Sequence, residues 1–165
     1  MKQFVIPAML WFSVIGSGLI GGLYFAFSAF IMTSLGRLDQ TSGIAAMNAI
    51  NVDIQRSLFM PIFLGSTLVA AILAIIGLLR WGEPYALSTL LGGIIYVVGM
   101  TVVTMVFNVP LNNALAKVPP GTPEATALWA RYLKDWTLWN SVRTWACLIA
   151  TVFFVLSLMR WKMGQ

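Results

Sequence analysis

Four long apolar runs divide the chain, at positions 4–35, 57–79, 85–107 and 144–159. Each approaches or exceeds the roughly 20 residues that a helix needs to cross a hydrocarbon core of about 30 Å. Short polar stretches join them. "GRLDQTSG" (36–43) follows the first run, "RWGEP" (80–84) the second and "KVPPGTPE" (117–124) the third. Gly82 can end a helix and Pro84 can open one. Thr122, Pro123 and Glu124 read as an N-cap, a first-turn proline and a first-turn acid. The first run begins at residue 4 and is too long for the apolar core of a signal peptide, so it reads as a mature helix.

Helical character outruns the apolar runs, and always at the same end. The second helix is expected to start near Gly43, although its apolar part starts near Ser57. The fourth is expected to start near Thr122, although its apolar part starts near Thr144. The third keeps a helical pattern to about Ala116, and the first runs to about Leu35. The pattern therefore predicts an all-α protein: a four-helix transmembrane bundle whose helices extend beyond the bilayer at one polar end. At the other, short end lie 1–3, 80–84 and 160–165. A shift of 80 positions places Arg80-Trp81 on Arg160-Trp161, Phe27 on Phe107, Leu35 on Leu115 and Arg37 on Lys117, which suggests two related hairpins.

Composition fixes the solvent. Of the 165 residues, 59% are hydrophobic and 9% charged, against about 25% charged in ordinary soluble domains. So much apolar surface needs lipid as its environment, and the length suits one domain, 1–165. The net charge of +5 comes without a basic run, and its cations sit at the ends of apolar stretches. They read as interfacial charges, and no nucleic-acid partner is expected. The short end concentrates Lys2, Arg80, Arg160 and Lys162 against Glu83 alone. That distribution places the short end and both termini on the cytoplasmic side of a plasma or inner membrane. There is no histidine and one cysteine, which excludes His-ligated haem, His-based metal sites and His general bases. Cys147, inside an apolar run, reads as a small buried hydrophobe.

The polar residues within the helices share faces. Asn48, Asn51 and Gln55 fall together at 100° per residue, while Asp53 lies off that face within i,i+3 reach of Arg56, an expected ion pair. Thr101, Thr104, Asn108 and Asn112 form a second face, next to Pro110, which is expected to kink the helix and free carbonyls. Trp129, Tyr132, Trp136, Asn140, Arg143 and Cys147 form a third face, flanked by Trp139. Ser13, Ser17, Gly21, Tyr24 and Ser28 form a fourth. The small residues suit close helix packing, and Trp11, Trp81 and Trp161 suit an interfacial belt. Polar groups are costly against hydrocarbon, so these faces are expected to converge on a cavity near the polar end. Arg143, Asn51 and Asp53 are its candidate catalytic residues. Asn48, Gln55, Arg56, Asn108, Asn112, Trp136, Trp139, Asn140 and Tyr24 are its candidate substrate-binding residues, and no metal ligand is expected.

Four stretches carry a family resemblance: "FAFSAFIMTSL", "GIAAMNAINVDIQRSLFMPIFLGS", "NVPLNNALAKV" and "WTLWNSVRTWACLIA". Together they resemble the DUF1772 family, whose wider group includes the anthrone oxygenases of polyketide pathways. The resemblance implies four membrane helices and, from the characterised members, oxidation of an anthrone to an anthraquinone by O2. An anthrone is a flat phenolic ketone whose anion reacts with O2 without metal or flavin, so no cofactor is expected. Aromatic walls and donors to the oxyanion suit such a substrate. Two rivals stand beside an oxygenase-like enzyme: a binder or transporter of a lipophilic molecule such as a quinone, and a structural partner subunit of a membrane complex. The expected partners are the bilayer, a lipophilic small molecule and, through the glycines at 16, 18, 21 and 22, a second copy of the chain.

Overall fold

The computed structural model describes residues 2–163, with side chains described from Phe4 to Trp161; the charges of Lys2 and Lys162 lie outside these. The elements are α1 (Lys2–Ala26), a π-helical stretch π1 (Phe27–Ile31), α2 (Met32–Leu35), α3 (Gln40–Arg56), α4 (Phe59–Leu79), α5 (Ala86–Tyr96), π2 (Val97–Val102), π3 (Thr104–Asn108), α6 (Val109–Lys117) and α7 (Pro123–Met163). Four continuous helical stretches are long and apolar enough to cross a membrane: Phe4–Leu35, Phe59–Leu79, Ala86–Lys117 and Pro123–Trp161. The protein is an all-α membrane protein built as a four-helix bundle. The first span packs against the second and fourth, and the third packs against the same two, so the spans form a closed ring.

Small residues let these helices touch. A Cβ added to Gly93 would lie 2.5 Å from the Ala70 carbonyl oxygen, and one on Gly77 would lie 2.6 Å from the Leu90 nitrogen. The second and third spans therefore meet backbone to backbone, where dispersion contacts replace the hydrophobic drive that lipid cannot supply. Gly16 faces Ser66 and Gly21 faces Cys147, whereas Gly18 and Gly22 face open space. Leu10, Leu73, Tyr96 and Phe154 fill the centre of this half, and Cys147 is buried among them. Hydroxyls link neighbouring spans there: Ser17 with Thr151 at 2.7 Å, Thr67 with Thr101 at 2.9 Å, and Thr89 with Ser157.

The second helical segment departs from the continuous helix that its sequence suggests. Ser57 is extended (φ −92°, ψ 172°) and separates α3 from α4. Pro61 supplies the physical reason. In an unbroken helix its ring would press on the carbonyl of Ser57 and it would have no N–H to donate. With the break, Pro61 falls in the first turn of α4, where no donor is needed. Ser57 closes the gap itself: its Oγ donates to the Ile54 carbonyl at 2.8 Å and accepts from the Phe59 N–H at 3.1 Å. The segment with the polar face is thus a separate amphipathic helix. Asp39 caps it by accepting from the Ser42 N–H at 3.0 Å, and the Ser42 bonds hold the Asp39 carboxyl below its ordinary value. The buried face of α3, Gly43, Ile44 and Met47, sits against Trp129 and Leu115 in a second core.

Both odd-numbered spans widen into π turns near this end. Met32 N–H bonds the Phe27 carbonyl, and Val109 N–H bonds that of Thr104, each five residues back. In the first span a side chain intrudes on the ladder: Asn140 Nδ2 donates to the Tyr24 carbonyl at 2.6 Å, just ahead of π1. In the third, the disturbance expected at Pro110 takes the form of wide turns ahead of the ring, where a regular ladder would meet it with a carbonyl. About 18 to 20 residues, or about 30 Å, counted from the short end, reach Tyr24, Phe59, Met105 and Arg143 on the four spans. A hydrocarbon core counted from the short end would close near that level, with α2, α3, α6 and the start of α7 beyond it.

Candidate functional site

At that level the bundle encloses a cavity of about 330 Å³, within the size range of small-molecule sites. It lies where α3 breaks from α4, so α3 roofs a space that the four spans wall. Tyr24 and Phe27 come from the first span, Phe59, Met60 and Phe63 from α4, Thr104, Met105 and Asn112 from the third span, and Trp136 and Arg143 from α7; α3 adds Met47, Ile50, Asn51 and Gln55. Most of the lining is aromatic or aliphatic. Met105, at 59% exposure, and Gln55 and Asn113, both exposed, mark the open side. The mouth therefore spans the boundary between lipid-facing and polar surface.

Arg143 is the charged group of the cavity and is only 4% exposed. Its Nη2 donates to Asn140 Oδ1 at 2.7 Å and its Nη1 to Thr104 Oγ1 at 3.3 Å, while Nε has no partner. The guanidinium carbon lies 4.0 Å from the Tyr24 ring centroid and 5.2 Å from that of Trp136, contacts worth about 2 kcal/mol when desolvated. Among the described residues the one salt bridge is Arg131–Asp135, at 3.1 Å on the surface. Arg143 is thus a buried cation held by neutral groups.

The amides divide into structural ties and cavity lining. Asn140 is fully buried, and its Nδ2 bonds the Tyr24 carbonyl and Ser28 Oγ. Asn108 Nδ2 donates to the Trp136 carbonyl at 3.1 Å, and Asn48 Nδ2 reaches the Leu115 carbonyl at 3.5 Å. These three orient the helices and do not line the cavity. Asn112 does line it: its Oδ1 accepts from both Tyr132 Oη and Trp136 Nε1, each at 2.8 Å. That double bond pins the Trp136 ring and leaves Asn112 Nδ2 free for the cavity. Asn51 contributes an unpartnered Nδ2, and its carbonyl accepts from Gln55 Nε2 at 3.0 Å.

Of the residues singled out in the sequence, Tyr24, Asn51, Gln55, Asn112, Trp136 and Arg143 come together around the cavity. Trp139 stands apart, stacked on Phe107 at 3.6 Å between ring centroids. Asp53 and Arg56 are exposed, and the ion pair expected between them is not formed; an i,i+3 pair in solvent gains only a few tenths of a kcal/mol. The sequence did not point to Phe27, Met47, Phe63 or Met105 as lining. The only available signal was their i,i+3 and i,i+4 spacing from Tyr24, Asn51, Phe59 and Thr101, and apolar lining at helical spacing looks like ordinary core. Among the described residues no group of three or more His, Cys, Asp or Glu side chains comes together.

The model of the family described as anthrone oxygenase matches residues 47–153. The match takes in Asn51, Gln55, Asn112, Trp136 and Arg143, and leaves the first span, with Tyr24, outside. No curated protein and no solved structure matches the chain. With well over half of its length matched, and with four apolar helices able to span a bilayer, the chain belongs to the anthrone oxygenase family of membrane proteins.

Proposed function

We propose that the protein is an oxygenase-like membrane enzyme that binds a flat, lipophilic, enolisable ketone of the anthrone kind and favours its anion for reaction with O2. The observation that carries this is Arg143: a cation, nearly all buried, on the wall of an aromatic cavity and without a carboxylate partner. Tyr24, Phe27, Phe59 and Trp136 line the cavity with aromatic surface for a planar substrate. Arg143 and the Asn112 and Asn51 amides offer N–H groups to its oxygen. Such donors, fixed in advance in a site of low dielectric, favour charge as it develops.

The chemistry balances with O2 as the co-substrate. The ring methylene loses a proton, and the resulting anion is held at its oxygen by Arg143. The carbanionic carbon then forms a C–O bond to O2, the O–O unit takes up a proton, and loss of water leaves a carbonyl. One CH2 and one O2 give one C=O and one H2O. No carboxylate lines the cavity, so the wall's contribution is stabilisation of the anion, with the proton leaving to water at the mouth. Asp53, exposed outside the cavity, takes no part in this scheme.

The same lack of a lining carboxylate favours, as a second reading, a non-enzymatic carrier of the same molecule. Turnover separates the two. Purified protein supplied with an anthrone and O2 should form the anthraquinone, and Arg143→Gln should lower kcat about 100-fold. Saturable binding without product would leave the carrier alone standing. For topology, the cations Arg80 and Arg160 support placing the short end in the cytoplasm; a single cysteine introduced at Gly82 of a Cys147→Ala protein should resist impermeant thiol reagents in intact cells.

A further inference from the structure

We propose that the cavity takes its ligand already ionised: a flat aromatic acid whose carboxylate or phenolate is the counter-ion of Arg143. This rests on the cavity being a ligand site and goes beyond that by fixing the ligand's charge before any reaction.

The charge balance of the site leads there. A guanidinium has five N–H groups. Here two of the three nitrogens have one protein acceptor each, the Asn140 amide oxygen and the Thr104 hydroxyl, and the third has none. Both acceptors are neutral. The chain has five acids, and none is near. Asp39 caps α3, Asp135 pairs with Arg131, Asp53 is exposed, Glu83 lies in the turn at the short end and Glu124 opens α7. Withdrawing a cation from water without a partner is costly, and in a membrane helix such a group faces inward by default. The bundle nevertheless surrounds this one with rings and amides, which leaves an anion missing from the arrangement.

The neighbouring groups point the same way. Thr104 Oγ1 already donates to the Met100 carbonyl at 2.7 Å, so its bond from Arg143 completes its role. Asn112 Oδ1 already accepts two bonds. These two lining oxygens are engaged, whereas Arg143 Nε and Asn51 Nδ2 keep N–H groups without a partner, a balance that suits ligand oxygens. The aromatic side chains on the wall, Tyr24, Phe27, Phe59 and Trp136, favour an aromatic body for the acid over an alkyl chain.

Equilibrium binding to the full chain in detergent tests this, with anthraquinone-2-carboxylate and its uncharged carboxamide as probes and Trp fluorescence as the readout. The carboxylate should bind about tenfold more tightly or better. In Arg143→Gln the preference should vanish, and Arg143→Lys should keep one. Equal affinities for the two probes in the natural protein, a comparison that needs no variant, would overturn the proposal and leave the proposed enzyme intact. A preference that survives in Arg143→Gln would also overturn it. Oleate binding more tightly than the anthraquinone acid would overturn the aromatic part. If neither anthraquinone binds, the ligand site itself fails, and the proposed function fails with it.

Discussion

The two halves of the bundle handle polar groups differently. Toward the short end, hydroxyls satisfy one another across neighbouring spans, as Ser17 does with Thr151 and Thr67 with Thr101. The unpartnered groups there, on Ser13, Ser66 and Tyr96, are neutral hydroxyls. Toward the polar end the unpartnered atoms include an arginine nitrogen and amide groups of Asn48, Asn51 and Asn108, and the segments that carry the amides are broken off, as α3 is, or widened, as the third span is. Hydroxyl pairs are what helix association in lipid requires. An unpaired guanidinium with free amides around a hollow is more than association requires. The difference separates a packing half from a binding half.

The largest effect should come from the packing half. Gly93→Leu would drive a side chain into the Ala70 carbonyl and should cost 3 kcal/mol or more, about the upper range for overpacking. Loss of a monodisperse, helical species on extraction would report it. Asn112→Leu tests the junction of the halves. It strands the Tyr132 hydroxyl and the Trp136 N–H, at about 1–3 kcal/mol for each buried unpaired donor, and frees the Trp136 ring. Melting temperature should fall and Trp fluorescence should shift toward that of a wetter indole.

Arg143→Gln should behave in the opposite way to those two. Removing an uncompensated buried cation should leave the melting temperature unchanged or raise it, while turnover or ligand binding collapses. A large loss of stability would instead make Arg143 a structural tie and erase the distinction between the halves. Ser57→Ala removes the hydroxyl that bridges α3 and α4 and should cost about 1 kcal/mol, as for other lost caps, with binding weakened because α3 roofs the cavity. The smallest effect belongs to Asp53→Asn. Its carboxylate is exposed outside the cavity, and turnover should match that of the natural protein. A drop of tenfold or more would show that Asp53 takes part in the chemistry.

Much of this was legible in the chain. Four apolar runs of spanning length give the bundle almost unaided, because lipid leaves few other folds for such segments. The convergence of Tyr24, Asn112, Trp136 and Arg143 was legible from helical spacing, since polar faces in lipid must turn inward. The break at Ser57 was not, although Pro61 signals it: a first-turn proline and a mid-helix proline look alike until the helix start is known. The π turns were equally hidden, because Asn140 meets the Tyr24 carbonyl across more than a hundred residues of sequence. The ion pair between Asp53 and Arg56 failed for a simple reason. Spacing permits such a pair, but solvent removes most of its value. Trp139 shows the limit of face counting: it flanks the polar face by angle, yet Phe107 captures its ring.

The central claim is that a flat ligand lies in the aromatic cavity with its oxygen on Arg143. An experimental density map of the protein with bound anthraquinone-2-carboxylate tests it most directly. The rings should lie among Tyr24, Phe59 and Trp136, with the carboxylate within hydrogen-bond reach of the Arg143 guanidinium, about 2.7–2.9 Å. Rings seated on the outer, lipid-facing surface, or an Arg143 side chain turned away from the ligand, would contradict it.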